Sequence, residues 1–145
     1  MVKITLVCVG KLKESYWRDA VKEYEKRLQR FCRLEIRELP ERNSYKEEAG
    51  EILRACKGHT VALAVEGKRC SSEAFAGKLK ALVDAGKEMT FVIGSSCGLD
   101  ETVKAQADEL VSFSEMTFPH QMMRVVFLEQ LYRAFMINAG AEYHK

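Results

Sequence analysis

Three short apolar runs rich in β-branched residues constrain this chain more than any other feature: Lys3 to Val9, closed by Gly10; Thr60 to Val65; and Met89 to Ile93, closed by Gly94. Such continuous runs, without polar alternation, are the pattern of strands covered on both faces. Strands of that kind belong to parallel sheets, whose crossover connections lay helices over each side. The intervening segments supply the helices. Trp17, Ala20, Val21, Tyr24 and Leu28 step by three and four, with Arg18, Lys22, Lys26 and Arg30 on other faces, which predicts an amphipathic helix from Glu14 with a basic side. Ser44 is placed to cap a helix from Tyr45 to about Cys56, with Glu47 and Glu48 in its favourable first turn. Ser72 precedes a third helix that turns Phe75, Leu79, Leu82 and Val83 inward and ends at Gly86, and a fourth starts near Asp100. Cys32, Leu34 and Ile36 alternate with Arg33, Glu35 and Arg37, the period of a half-buried strand near an edge, and Leu110 to Phe113 reads as a short fifth strand. The fold class is α/β, a mostly parallel sheet with helices on both faces, in one domain over residues 1–145.

Charge and cysteine usage narrow the function classes. The net charge is +2, too small for a protein that grips nucleic acid by bulk electrostatics. The charge is unevenly spread: residues 1–42 carry 11 Lys/Arg against 7 Asp/Glu, so an electrostatic footprint belongs to the N-terminal third. Cys8, Cys32, Cys56, Cys70 and Cys97 are odd in number and lack any zinc spacing, which suits reduced thiols in a cytoplasmic chain. The first apolar run ends too early for a signal peptide, and Gln121 to Ala139 contains Arg124, Glu129, Gln130 and Arg133, which argue against a membrane span. In that last stretch apolar residues wrap nearly all round a helix. It must be buried on several sides, and because one sheet face covers only one of them, a homodimer is expected.

Ligands of open parallel sheets bind beyond the carboxyl ends of the strands, so the segments after Val65, Ile93 and Phe113 are the places for a site. Gly94-Ser95-Ser96-Cys97-Gly98 is a plain turn or a loop that lets backbone approach a ligand; it matches neither dinucleotide nor P-loop spacing. His120 reads as a capping or hydrogen-bonding residue, or as a hydrolase base with Ser114; with His59 and His144 it makes no metal site. Arg124 and Arg133 could contact phosphates, although Glu129 and Arg133 also have ion-pair spacing on a helix.

Four segments together carry a resemblance: Phe91-Val-Ile-Gly-Ser-Ser-Cys-Gly-Leu99, Ser112-Phe-Ser-Glu-Met-Thr-Phe-Pro-His-Gln-Met-Met-Arg-Val-Val126, Glu129-Gln-Leu-Tyr-Arg-Ala-Phe135 and the terminal Tyr143-His144-Lys145. With Gly10-Lys11-Leu12-Lys13 and Tyr16-Trp17 at the other end, the chain resembles the RlmH family of SPOUT-class methyltransferases, which methylate a pseudouridine of large-subunit (23S) ribosomal RNA at N3. The resemblance implies a C-terminal deep trefoil knot, S-adenosylmethionine bound in it, and a homodimer that works on ribosomal RNA in the assembled ribosome, with no metal and no membrane. Leu63, Gly94, Phe113, Ser114, Glu115, Met116, Thr117 and Phe118 match the positions that surround the cofactor, and Tyr143 and His144, with Arg124, are the candidates for substrate binding. No general base is assigned. Ser95 stands where many relatives have glycine; if that position needs positive φ, serine strains it by ~1 kcal/mol or more. Cys97 and the Pro40 to Ser44 connection depart as well. Two other readings follow: a knotted, non-catalytic ribosome or RNA-binding module, and a small-molecule hydrolase using Ser114 and His120.

Overall fold

The computed structural model describes residues 1–95 and 98–145. The chain runs β1 (Lys3–Val9), α1 (Ser15–Leu28), β2 (Arg33–Leu39), α2 (Tyr45–Ala55), β3 (His59–Arg69), α3 (Ser72–Asp84), β4 (Met89–Ile93), α4 (Glu101–Gln106), β5 (Glu109–Ser112) and α5 (His120–Asn138). The strands pair in parallel in the order β2-β1-β4-β3-β5. The two strands with the purest apolar runs, β1 and β4, are neighbours inside the sheet, and the alternating strand β2 is at its edge, as the two patterns predict.

Local chemistry starts the helices. The Ser44 hydroxyl accepts from the Glu47 amide, and the Asp100 carboxylate accepts from the Thr102 amide at 3.0 Å. At α3 the cap is Ser71, whose hydroxyl accepts from Ala74, so Ser72 is the first helical residue and not the one before it. Gly86 follows α3 with φ of 70°, the left-handed turn a helix end needs.

Alternate residues of the central strands feed two cores. Ile4, Leu6 and Cys8 of β1 and Met89, Phe91 and Ile93 of β4 meet the layer of α1, α3 and α5; Val7, Val9 and Val92 meet α2 and α4 on the other face. Burial lifts the Cys8 thiol to about 11 and the Cys32 thiol to about 12, so both are inert at neutral pH. Cys97, like Ser96, lies outside the described residues. α5 is packed along α1 and α3 as well as over the sheet, so the protomer itself covers more of this helix than the sequence argument allowed. No helix among the described residues is long and apolar enough to cross a membrane.

Candidate active site

Parallel pairing puts the carboxyl ends of β1, β3, β4 and β5 on one edge of the sheet. There the β3–β5 ladder is broken: Val111 pairs with Leu63 and again with Lys68, so residues 64–67 bow out between the two pairings. Gly67 allows the strand to return, because a Cβ at that position would lie 2.7 Å from the Leu110 and Val111 backbone. The bow opens a cleft of about 360 Å³, within the range of ordinary small-molecule sites.

Three strand-end segments converge on this cleft. The bowed part of β3 contributes Leu63, Ala64, Val65 and Glu66. Beyond β4 come Gly94, Ser95, Gly98 and Leu99, and beyond β5 come Phe113, Ser114, Met116, Thr117 and Phe118. Gly94 has no room for a side chain: a Cβ there would stand 2.4 Å from the Gly98 carbonyl oxygen. Of the eight residues expected around a cofactor, seven line the cleft. Glu115 is the exception, its carboxylate turned outward to Arg69 at 3.3 Å. No non-glycine residue among those described has positive φ, so Ser95 carries no such strain, and that argument for a lost activity falls away.

Leu63, Ile93, Val111, Phe113 and Phe118 make the cleft's apolar walls, and among the described residues three titratable side chains reach its surface: Glu66, Lys104 and His120. Lys104 donates to the Glu66 carboxylate, and that bond holds Glu66 below the usual carboxylate range and Lys104 above the usual amine range. His120, the first residue of α5, is held below its ordinary value, mainly by burial and further by the Arg124 charge, against the pull of Glu41 and Glu14. The shift favours the neutral imidazole at pH 7. It caps nothing: Pro119 occupies the cap position, and no side-chain cap bond forms. The Ser114 hydroxyl accepts from the Met116 amide at 3.0 Å and is not bonded to His120, so the pair lacks the nucleophile–base contact of a hydrolase.

Arg124, expected to touch substrate, is instead 1% exposed. Its guanidinium donates to Glu38 at 2.6 Å and to the carbonyls of Val9 and Gly10 at 3.2 and 2.5 Å, tying α5 to the ends of β1 and β2. Buried this way it cannot reach a phosphate. Arg133 does pair with Glu129, at 3.1 Å. Tyr143 donates to Glu129 at 2.5 Å, a bond that with burial raises its phenol to about 12, and His144 bridges Arg133 at 3.1 Å and Glu73 at 2.6 Å. Neither tail residue lines the cleft of its own chain. Among the described residues no group of acidic, histidine or cysteine side chains could hold a metal ion.

The family model described as "Predicted SPOUT methyltransferase" matches residues 2–144. The chain belongs to the SPOUT methyltransferase family. Three relatives each named "Ribosomal RNA large subunit methyltransferase H" agree with that membership: 46% identity to the protein of Streptococcus equi subsp. equi strain 4047, 43% to that of Lactobacillus acidophilus and 44% to that of Bifidobacterium adolescentis. Each alignment covers 99% of this chain and 100% of the relative. Solved structures share the fold at far lower identity. TrmJ from Z. mobilis ZM4 superposes with a TM-score of 0.53 at 13% identity, over 92% of this chain and 70% of that one. A probable methylase family protein from Haemophilus influenzae Rd KW20 gives 0.54 at 10% identity, over 94% and 66%. The SPOUT chain described here adds Ala64, Val65, Glu66, Lys104, His120 and Met123 to the cleft lining expected from sequence.

Proposed function

We propose that this protein transfers a methyl group from S-adenosylmethionine to the N3 atom of a pseudouridine in large-subunit (23S) ribosomal RNA. It does so in the cytoplasm, on the assembled ribosome, as a homodimer of single-domain protomers. One observation carries this reading: a chain that matches the methyltransferase family over residues 2–144 forms a cleft from the three strand-end segments that the resemblance assigns to the cofactor.

The cleft suits that cofactor chemically. Leu63, Val111, Phe113 and Phe118 offer apolar surface to an adenine, and the strand-end backbone around Gly94 and residues 113–118 offers polar groups at its rim. Bound S-adenosylmethionine supplies a methyl group already activated by its sulfonium. The remaining tasks are to place the N3 nitrogen in line and to accept its proton. His120 is the neutral base in the cleft wall. Tyr143 and His144 are assigned to substrate placement at the partner's cleft. This agrees with their absence from their own cleft and with the exposed Met116 and Phe118, apolar surface at its rim for a second subunit to cover. The knot fits the topology: β5 lies on the far side of β3, and the chain then crosses back by the cleft so that α5 packs between α1 and α3.

The test is methyl transfer from labelled S-adenosylmethionine to ribosomes from cells lacking the protein. Label confined to one pseudouridine of 23S RNA is expected. No transfer, with methylation unchanged in the cells lacking the protein, overturns the proposal.

A further inference from the structure

The basic and aromatic segment that follows β1 takes no part in the cleft lining, yet the fold holds it firmly. Gly10 turns the chain with φ of 93° and donates to the Leu39 carbonyl at 2.7 Å. Arg124 binds the Val9 and Gly10 carbonyls from beneath. Arg18 reaches back from α1 to the Leu12 and Lys13 carbonyls at 3.1 and 2.5 Å, while Leu12 packs on the core. What remains outside is Lys11, Lys13 and Tyr16. Both lysines are exposed, and neither has an acidic partner among the described residues. Tyr16 is 62% exposed, its ring braced edge-on by Trp17 at 5.0 Å.

The position is as telling as the composition. β1 runs parallel to β4, so the segment leaves the sheet on the edge where Gly94 forms the cleft. Glu14, at the start of α1, acts electrostatically on His120 in the cleft wall, in keeping with that shared edge. Ammonium groups free of acidic partners and an exposed, braced ring within one short segment are the combination that binds single-stranded nucleic acid: cations track the phosphates while the ring stacks a base. A fixed backbone keeps the ordering cost low.

We propose that Lys11, Lys13 and Tyr16 form a docking surface for the RNA strand flanking the methylated base, the two lysines on phosphates and Tyr16 stacked on an unpaired base. The proposal rests on the methyltransferase reading above and names where its polyanionic substrate is held. It also gives a role to the basic bias of residues 1–42.

The test uses the full chain as wild type, as a Lys11→Gln/Lys13→Gln double variant, as Tyr16→Ala, and as Lys87→Gln, an exposed lysine at the opposite end of β4. Methyl transfer is measured against the concentration of ribosomes from cells lacking the protein, over a salt series. S-adenosylmethionine affinity and thermal unfolding are measured on the same samples. In the double variant, KM for ribosomes is expected to rise about 10-fold or more, and the slope of log kcat/KM against log salt to become shallower by about 1.4 to 1.8, the release expected from two phosphate contacts. Tyr16→Ala is expected to raise KM about 10-fold with the salt slope unchanged. Lys87→Gln is expected to leave both unchanged, and cofactor affinity and unfolding to stay the same in every variant. An active wild type whose KM and salt slope survive the Lys11/Lys13 changes overturns this docking surface and leaves the methyltransferase reading standing. A wild type with neither cofactor binding nor transfer overturns both.

Discussion

Replacing Arg124 with alanine separates the two roles that this residue has been given. The side chain is 1% exposed and donates to three acceptors, the Glu38 carboxylate and the Val9 and Gly10 carbonyls. Removing one partner of a buried ion pair costs about 3–5 kcal/mol, because the other group is left uncompensated. Here Glu38 is 38% exposed and water can take over its oxygen, so the lower end applies. The Arg124 Nε is itself buried without an acceptor, a cost already present in the wild type, which trims the loss further. The expected loss is about 2–3 kcal/mol, or a fall in Tm of about 4–12 °C for a chain of this size. Arg124→Lys keeps the charge but not the fork that spans carboxylate and carbonyls, and is expected to fall between wild type and alanine. Thermal unfolding followed by circular dichroism reads both. A Tm within about 2 °C of wild type for Arg124→Ala, with a raised KM for ribosomes, would refute the structural role and restore the residue to the RNA interface.

Other consequences are equally direct. Phe127 is fully buried, 4.7 Å from the Phe91 ring and 6.3 Å from that of Phe113, so Phe127→Ala is expected to cost about 3–5 kcal/mol in urea unfolding and to weaken cofactor binding by loosening a cleft wall. Because His120 titrates below its ordinary value, single-turnover methyl transfer is expected to fall only as pH drops below about 6.5, as the base becomes protonated. His120→Asn should flatten that acid limb, and a limb of unchanged position would remove His120 as the base. Burial alone would raise the Glu109 carboxyl, but hydrogen bonds from Lys78 at 2.5 Å and His59 at 2.7 Å outweigh it and hold the group below its usual range. Its folded value lies below its unfolded one, so its contribution is present above pH ~4.3 and is lost as pH falls through the folded value. Glu109→Gln should therefore narrow the difference in stability between pH 7 and pH 3, measured by urea unfolding.

Most of the sheet was legible because period and burial agree. The apolar runs of β1 and β4 lie inside the sheet, and the alternating β2 lies at its edge, where one face meets water. The bow in β3 was not legible, since it depends on two backbones that part at Leu63 and rejoin at Lys68, and neither event leaves a side-chain period. Arg124 was misread for a related reason: one of its partners is 86 residues away and the other two are carbonyls, which carry no signature in sequence. Glu115 sits in the right segment yet faces outward to Arg69, because the chain bends at residues 113, 115 and 116 and follows no regular period from which a side chain's direction could be read. His120 was singled out in the sequence, but its place in the cleft wall became visible only once α5 was positioned against the ends of β1 and β4.

The claim at the centre of this account is that the cleft lined by residues 63–66, 94–95, 98–99, 112–114 and 116–118 holds S-adenosylmethionine. Calorimetric titration of the wild type beside Gly94→Val tests it most directly, since a Cβ at Gly94 meets the Gly98 carbonyl at 2.4 Å and must displace the loop. The account predicts saturable binding to the wild type and an affinity lower by about 100-fold or more in the variant, a loss of ~2.7 kcal/mol, with its far-ultraviolet spectrum retained. No binding by the wild type, or equal binding by Gly94→Val, would contradict it.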